Sequence, residues 1–258
     1  MFILMTNDDG IDSSGLRLLV REAVRRGHRV LCCAPAAQQS AASQRIQLNT
    51  PIMVHRVPDL EGAEAWAVSG TPADCVRIAL ELCDCRPDVC VSGINDGENA
   101  GCAVFYSGTI AAAREGAMHG IPAFAVSIMP HADEEMTAAL ADRALTLAEH
   151  CRLDRFPRLA VVNLNAPALP ADSWKGIRYC PVSQAFYRDT YERRTSPRGQ
   201  DYFWLSAGLP METPEPGTDY DLLRQGYLTV SVLGGYSDMN AQADRFLTLD
   251  PQESCHAR

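Results

Sequence analysis

The chain of 258 residues carries 23 basic and 32 acidic side chains, a formal charge of −9, with 47% hydrophobic and 21% charged residues. That size suits one large domain or two small ones, and the balance is globular rather than disordered. The acidic excess argues against a nucleic-acid binder held by phosphate contacts, and no apolar run approaches the roughly 20 residues of a bilayer span.

The chain opens on "MFILMTNDDG", an apolar strand without a basic start that gives way to acids, so no secretory leader is expected. Ten cysteines, none spaced CxxC, then read as reduced, buried, structural residues of a cytoplasmic protein. "SSGLRLLVREAVRRG" follows, with Leu16, Leu19, Val20, Ala23 and Val24 on one helical face, Ser13 or Ser14 as cap and Gly27 just past the end. "HRVLCCAP" returns as a strand and completes a βαβ unit, whose strands should be parallel.

The alternation continues. "GTPADCVRIALEL" reads as a helix capped by Thr71 with Pro72 at its first position. "PDVCVSG" is a strand, "GTIAAAREGAMHG" a helix, "IPAFAVSIM" a strand, "DEEMTAALADRALTLAEHC" a helix and "RLAVVNLNAP" a strand. To about residue 167 this predicts a doubly wound α/β fold with helices on both faces of a mostly parallel sheet. Residues 175–208 are rich in aromatics and arginine and read as extended hairpins turning near "RTSPRGQ", an arm suited to pairing with another subunit. "TDYDLLRQGYLTVSVL" reads as a short helix and a strand that rejoin the body, and "DPQESCHAR" as a loose tail. No linker divides the chain.

Ligands of open parallel sheets bind beyond the carboxyl ends of the strands. Three loops there carry unusual chemistry. Residues 7–12 hold Asp8 and Asp9 side by side with Asp12 behind, and like charges so close need a cation, an arginine or water as partner. Oxygen donors on a strand-end loop suit Mg²⁺, Mn²⁺ or Ca²⁺, although two acids also fit a helix cap and a solvent-facing charge. Residues 35–45 add Ser40, Ser43, Gln38, Gln39, Gln44 and Arg45, which alone would pass for a polar surface loop. Residues 92–101 add glycines with Asn95 and Asn99, and Ser107-Gly108-Thr109 stands at a helix start, a ready anion site.

Taken in order, "TNDDG", "GTPADCV", "SGIN-G-N-G" and "YSGT" resemble the SurE family of survival-protein nucleotidases, and "TDYDLLRQGYLTVSVL" resembles its closing segment. The resemblance runs from residue 2 to about 233. It implies a Rossmann-like α/β/α sandwich with a C-terminal β-hairpin extension: one SurE-like domain over 1–258, its core 1–167 and its extension about 168–250. It implies divalent-metal-dependent hydrolysis of nucleoside 5′- and 3′-monophosphates, with Asp8, Asp9, Ser40 and Asn95 holding one Mg²⁺ or Mn²⁺. Asp8 and Asp9 would be the catalytic pair, while Asn95, Ser107, Gly108 and Thr109 would bind the phosphate. A homodimer or homotetramer through the arm is implied too, with no nucleic-acid duplex and no membrane as partner. Ala36, Ala41, Arg45 and Asp96 depart from the family pattern without removing a ligand.

Three other readings compete. A non-catalytic nucleotide or phosphate sensor on the same scaffold is the main one. A signalling receiver domain wants a lysine at a later strand end, and the only lysine, Lys175, lies outside the expected core. A haloacid-dehalogenase-type phosphatase wants Asp-x-Asp after the first strand, which "NDDGID" does not supply.

Overall fold

The computed structural model describes residues 1–185, 190–206 and 212–235. The tail at 250–258 and the arm residues 186–189 and 207–211 lie outside the described residues.

The first half alternates as the apolar periodicity requires. Strand β1 (Phe2–Thr6) leads to α1 (Ser14–Arg25) and β2 (Arg29–Pro35). Helix α1 stops where Gly27 takes φ +79°, and the Gly27 and His28 amides bond back to Val24 and Ala23. An unforeseen hairpin follows, β3 (Val54–Leu60) and β4 (Ala63–Val68). Its two-residue turn is Glu61-Gly62, both at positive φ, the geometry that matches strand twist. Glutamate is a weak advertisement for that turn, and Pro58 masks a strand that lies at the sheet edge, where proline is tolerated.

Helix α2 (Pro72–Leu82) opens with the expected cap, and Asp74 reaches back to the Thr71 amide to close a capping box. Then come β5 (Val89–Asp96), α3 (Gly108–Met118), β6 (Ala123–Ile128), α4 (Glu134–His150) and β7 (Val161–Ala166). The extension supplies β8 (Ile177–Tyr179), the hairpin β9 (Thr190–Thr195) and β10 (Asp201–Ser206), α5 (Asp219–Arg224) and β11 (Leu228–Leu233).

Nine strands form one sheet in the order β3-β4-β2-β1-β5-β6-β7-β11-β8. Strands β4, β2, β1, β5, β6 and β7 run parallel; β3 and β11 enter antiparallel to their neighbours β4 and β7. Residues 177–179 do not join the arm but pair parallel to β11, covering the edge that strand would otherwise expose. Strands β9 and β10 pair only with each other.

Both faces are covered because strand side chains alternate. Ile3 and Met5 of β1 pack with Leu16 and Leu19 of α1 and Leu140 and Leu145 of α4. Phe2 and Leu4 pack with Val76 of α2 and Ile110 and Ala113 of α3. Each fully buried leucine contributes about 2 kcal/mol. Gly15 makes the α1 contact possible, since a Cβ there would lie 2.1 Å from the Ile94 carbonyl oxygen. Every cysteine among the described residues is unpaired; Cys32, Cys33, Cys75 and Cys90 are buried, whereas Cys85 is exposed beside Arg29 rather than buried as expected. Among the described residues no helix is long and apolar enough to cross a membrane.

Candidate active site

The parallel register brings the ends of β1, β2 and β5 side by side, so the three loops singled out in the sequence meet. Asn7 shapes the first. Its amide donates to the Gly10 carbonyl at 2.9 Å and to Ser13 Oγ at 2.7 Å, and its Oδ1 accepts the Gly10 amide. Gly10, at φ +102°, lets the backbone turn there. Ser13 is thus committed to Asn7 and makes no side-chain cap on α1.

Asp8 is 5% exposed and accepts a hydrogen bond from the Thr109 hydroxyl at the start of α3. Gly108 admits this approach, because a Cβ there would lie 2.7 Å from Asp8 Cβ and 2.8 Å from its Oδ2. Burial pushes the Asp8 carboxyl up to about 6; the Thr109 hydroxyl opposes the rise and the Asp9 charge adds to it. Burial also raises Asp9, which the Asp96 amide resists and the Asp96 charge reinforces.

Asp9 ties the other two loops together. Its Oδ2 accepts the Asp96 amide at 3.3 Å, which sets the residue after Asn95 against it. Its Oδ1 accepts from Gln38 Nε2 at 3.3 Å, and the same nitrogen lies 3.0 Å from Ser40 Oγ. The Gln39 amide meanwhile bonds the Asp8 carbonyl at 2.7 Å. Asn95 spends its amide nitrogen on the Gly97 carbonyl at 2.6 Å, which leaves its Oδ1 as the group to offer a cation. Ser107 is buried, and its hydroxyl caps α3 by accepting the Ile110 amide.

Among the described residues no arginine, lysine or histidine pairs with Asp8 or Asp9, whereas exposed Asp12 reaches Arg17 at 3.5 Å and stands apart. Nor do three His, Cys, Asp or Glu side chains cluster there. Two carboxylates, a hydroxyl and an amide oxygen remain, an all-oxygen set that fits Mg²⁺ or Mn²⁺.

Some readings need correction. Asn99 is not a donor to the site but buried scaffold: its side chain donates to Ser127 at 2.8 Å and its backbone engages Asn163 and Asn165. Asp219, which the sequence did not flag, accepts the Gly101, Ser183 and Tyr220 amides and so fixes the far end of the 97–101 loop. Its only advance signal was its place one residue after Thr218 at a helix start. Ala41, where the resemblance expects glycine, sits at φ +58°. Ala36 and the Arg45 side chain are exposed.

Comparisons with known proteins give the family. The family described as survival protein SurE matches residues 3–189. The chain is 42% identical over 234 residues to the 5′-nucleotidase SurE of Nitratidesulfovibrio vulgaris, covering 90% of this chain and 93% of that one. It is 37% identical to the 5′-nucleotidase SurE of Fervidobacterium nodosum, with 90% of each chain covered. The crystal structure of the SurE protein from Aquifex aeolicus superposes with a TM-score of 0.78 at 28% identity, covering 95% of this chain and 98% of that one. With its sequence matched over most of its length and its fold matched in nearly all of it, the chain belongs to the SurE family.

Proposed function

We propose that the protein is a divalent-metal-dependent phosphomonoesterase that hydrolyses nucleoside 5′- and 3′-monophosphates to nucleoside and phosphate. The observation that carries this reading is the acid pair without a counter-charge among the described residues, met by the N-terminus of α3. Family membership and relatives described as 5′-nucleotidase SurE support it.

Asp8, Asp9, Ser40 and Asn95 would hold one Mg²⁺ or Mn²⁺, which when bound polarises phosphoryl oxygens and acidifies a bound water. The chain's own groups do the rest. The Gly108 and Thr109 amides, at the positive end of α3, receive phosphoryl oxygens, and Ser107 keeps its hydroxyl proton to donate to them. Thr109 holds Asp8 in one orientation. Asp8 or Asp9 orients the attacking water and accepts its proton. The substrate reading extends to the assembly: a homodimer or homotetramer joined through the β9–β10 arm, whose Tyr191, Phe203 and Trp204 are 65%, 59% and 60% exposed. Residues 1–258 would then form one domain, with 1–167 as core and about 168–250 as the oligomerising extension.

Phosphate release from nucleoside monophosphates, measured before and after EDTA, tests the reading. Activity should vanish with chelator and return with Mn²⁺ or Mg²⁺. Full turnover in excess EDTA would remove the metal, and nucleotide binding without any release would leave a sensor instead.

A further inference from the structure

Glu115 is a carboxylate that the proposed chemistry does not use, yet it is only 2% exposed. Its Oε1 lies 3.3 Å from Arg77 Nη1 and 3.3 Å from His119 Nε2, which face it from α2 and from the end of α3. Its Oε2 accepts a hydrogen bond from Gln44 Nε2 at 3.0 Å. Gln44 belongs to the loop that carries Ser40.

That loop needs holding. Ala41 at φ +58° and Ser43 at φ +51° both take the left-handed backbone that residues with a Cβ disfavour. Such conformations persist only where the surroundings over-determine them. The loop is pinned at its start by the Gln39 amide on Asp8. Beyond Ser40, Ser43 is tied through its amide and hydroxyl to the Tyr106 and Phe105 carbonyls. Among the described residues, the Gln44–Glu115 bond is the anchor there with a buried carboxylate as acceptor, the stronger kind of hydrogen bond. Helix α3 therefore grips both halves of the site: Thr109 holds Asp8, and Glu115, six residues on, holds the Ser40 loop.

We infer that Glu115 is a positioning residue: through Gln44 it fixes the 39–45 loop in the conformation that presents Ser40 beside Asp9. Arg77 supplies the positive charge that a buried carboxylate requires, and His119 Nε2 lies at 3.3 Å from the same carboxylate oxygen. Where Ser40 is read as a metal ligand the inference rests on the proposed function; where the loop is held, it does not.

The test separates the two. Amide hydrogen exchange across residues 39–45 is measured in the metal-free protein, and Mn²⁺ binding is titrated calorimetrically. Gln44→Ala and Glu115→Ala should speed exchange in the loop, and Mn²⁺ should bind about tenfold more weakly, as when an outer-shell partner is lost. Glu115→Gln, whose amide oxygen still accepts from Gln44, should restore both readouts to near wild type. Leu140→Ala, in α4 on the opposite face of the sheet, controls for lost stability and should move neither. Where Glu115→Ala does not fold, Gln44→Ala decides alone, because it leaves Glu115 paired with Arg77 and His119. Unchanged loop exchange in Gln44→Ala, with only the melting temperature lowered, would overturn the inference. Failure of wild-type protein to bind Mn²⁺ would sink the proposed function and leave the exchange result to judge Glu115.

Discussion

The strand-end face and the β9–β10 arm both present groups that the described chain does not satisfy, but of opposite kinds. At the strand ends they are carboxylates, half-buried to buried, which accept from Thr109, Gln38 and the Asp96 amide but have no cationic partner among the described residues. On the arm they are apolar rings, exposed on a two-stranded sheet, while its charges pair internally, as Arg194 does with Glu192 at 2.8 Å and Arg193 with Asp201. A two-stranded sheet is marginal in water unless its apolar side finds cover. On the proposed reading, one region would take a cation and an anion together, and the other a protein surface. Two glycines mark the same division: a Cβ at Gly108 would lie 2.7 Å from Asp8 Cβ, whereas one at Gly199 in the arm's turn meets nothing within 4 Å.

Asp9→Asn should break the comparison hardest. With Asp9 holding the metal as proposed, removing its charge forfeits several kcal/mol of transition-state stabilisation, on the order of a thousandfold in turnover. The arm should be indifferent, so light scattering should report an unchanged assembly. Unimpaired phosphate release from this variant would take Asp9 out of the chemistry.

Gly108→Ala sharpens the contrast between a tight and an open glycine. Its Cβ would drive into Asp8, so overpacking should cost up to about 3 kcal/mol in chemical denaturation and dislodge the carboxylate. Gly199, in the arm's turn at φ +78° with nothing within 4 Å of a Cβ, meets conformational cost alone. Alanine there should destabilise less, and equal losses at the two positions would mean that Asp8 moves aside freely.

Trp204→Asp should produce the smallest effect on the fold and a clear one on assembly. A buried tryptophan anchor carries about 2 kcal/mol of an interface, so sedimentation should shift toward the monomer. The melting temperature of the separated monomer should barely change, as for other surface substitutions. An unaltered oligomer would place the interface elsewhere.

Much of this was readable beforehand, for local reasons. Short apolar runs and period-3.6 apolar faces declared the alternation of strands and helices to residue 167, and Thr71-Pro72 and Ser107-Gly108 marked helix starts that the structure uses. The β3–β4 hairpin escaped because a Glu-Gly turn and an edge-strand proline carry weak signals, and β8 because it pairs with a strand 50 residues later. Asn99 was misread because side-chain amides look alike whether they face ligand or core. Only the sheet, by setting Asn99 beside Ser127, Asn163 and Asn165, decides which.

By itself, then, the amino-acid order determined which segments are strands and helices, where the chain must turn, and which loops carry oxygen donors, since these depend on neighbours a few residues apart. Tertiary structure decided that β1, β2 and β5 lie adjacent, that Asp8 meets Thr109 across 101 positions, and that Gln44 finds Glu115 across 71. Those pairings arise from parallel register and helix docking, where distance along the chain says nothing about distance in space.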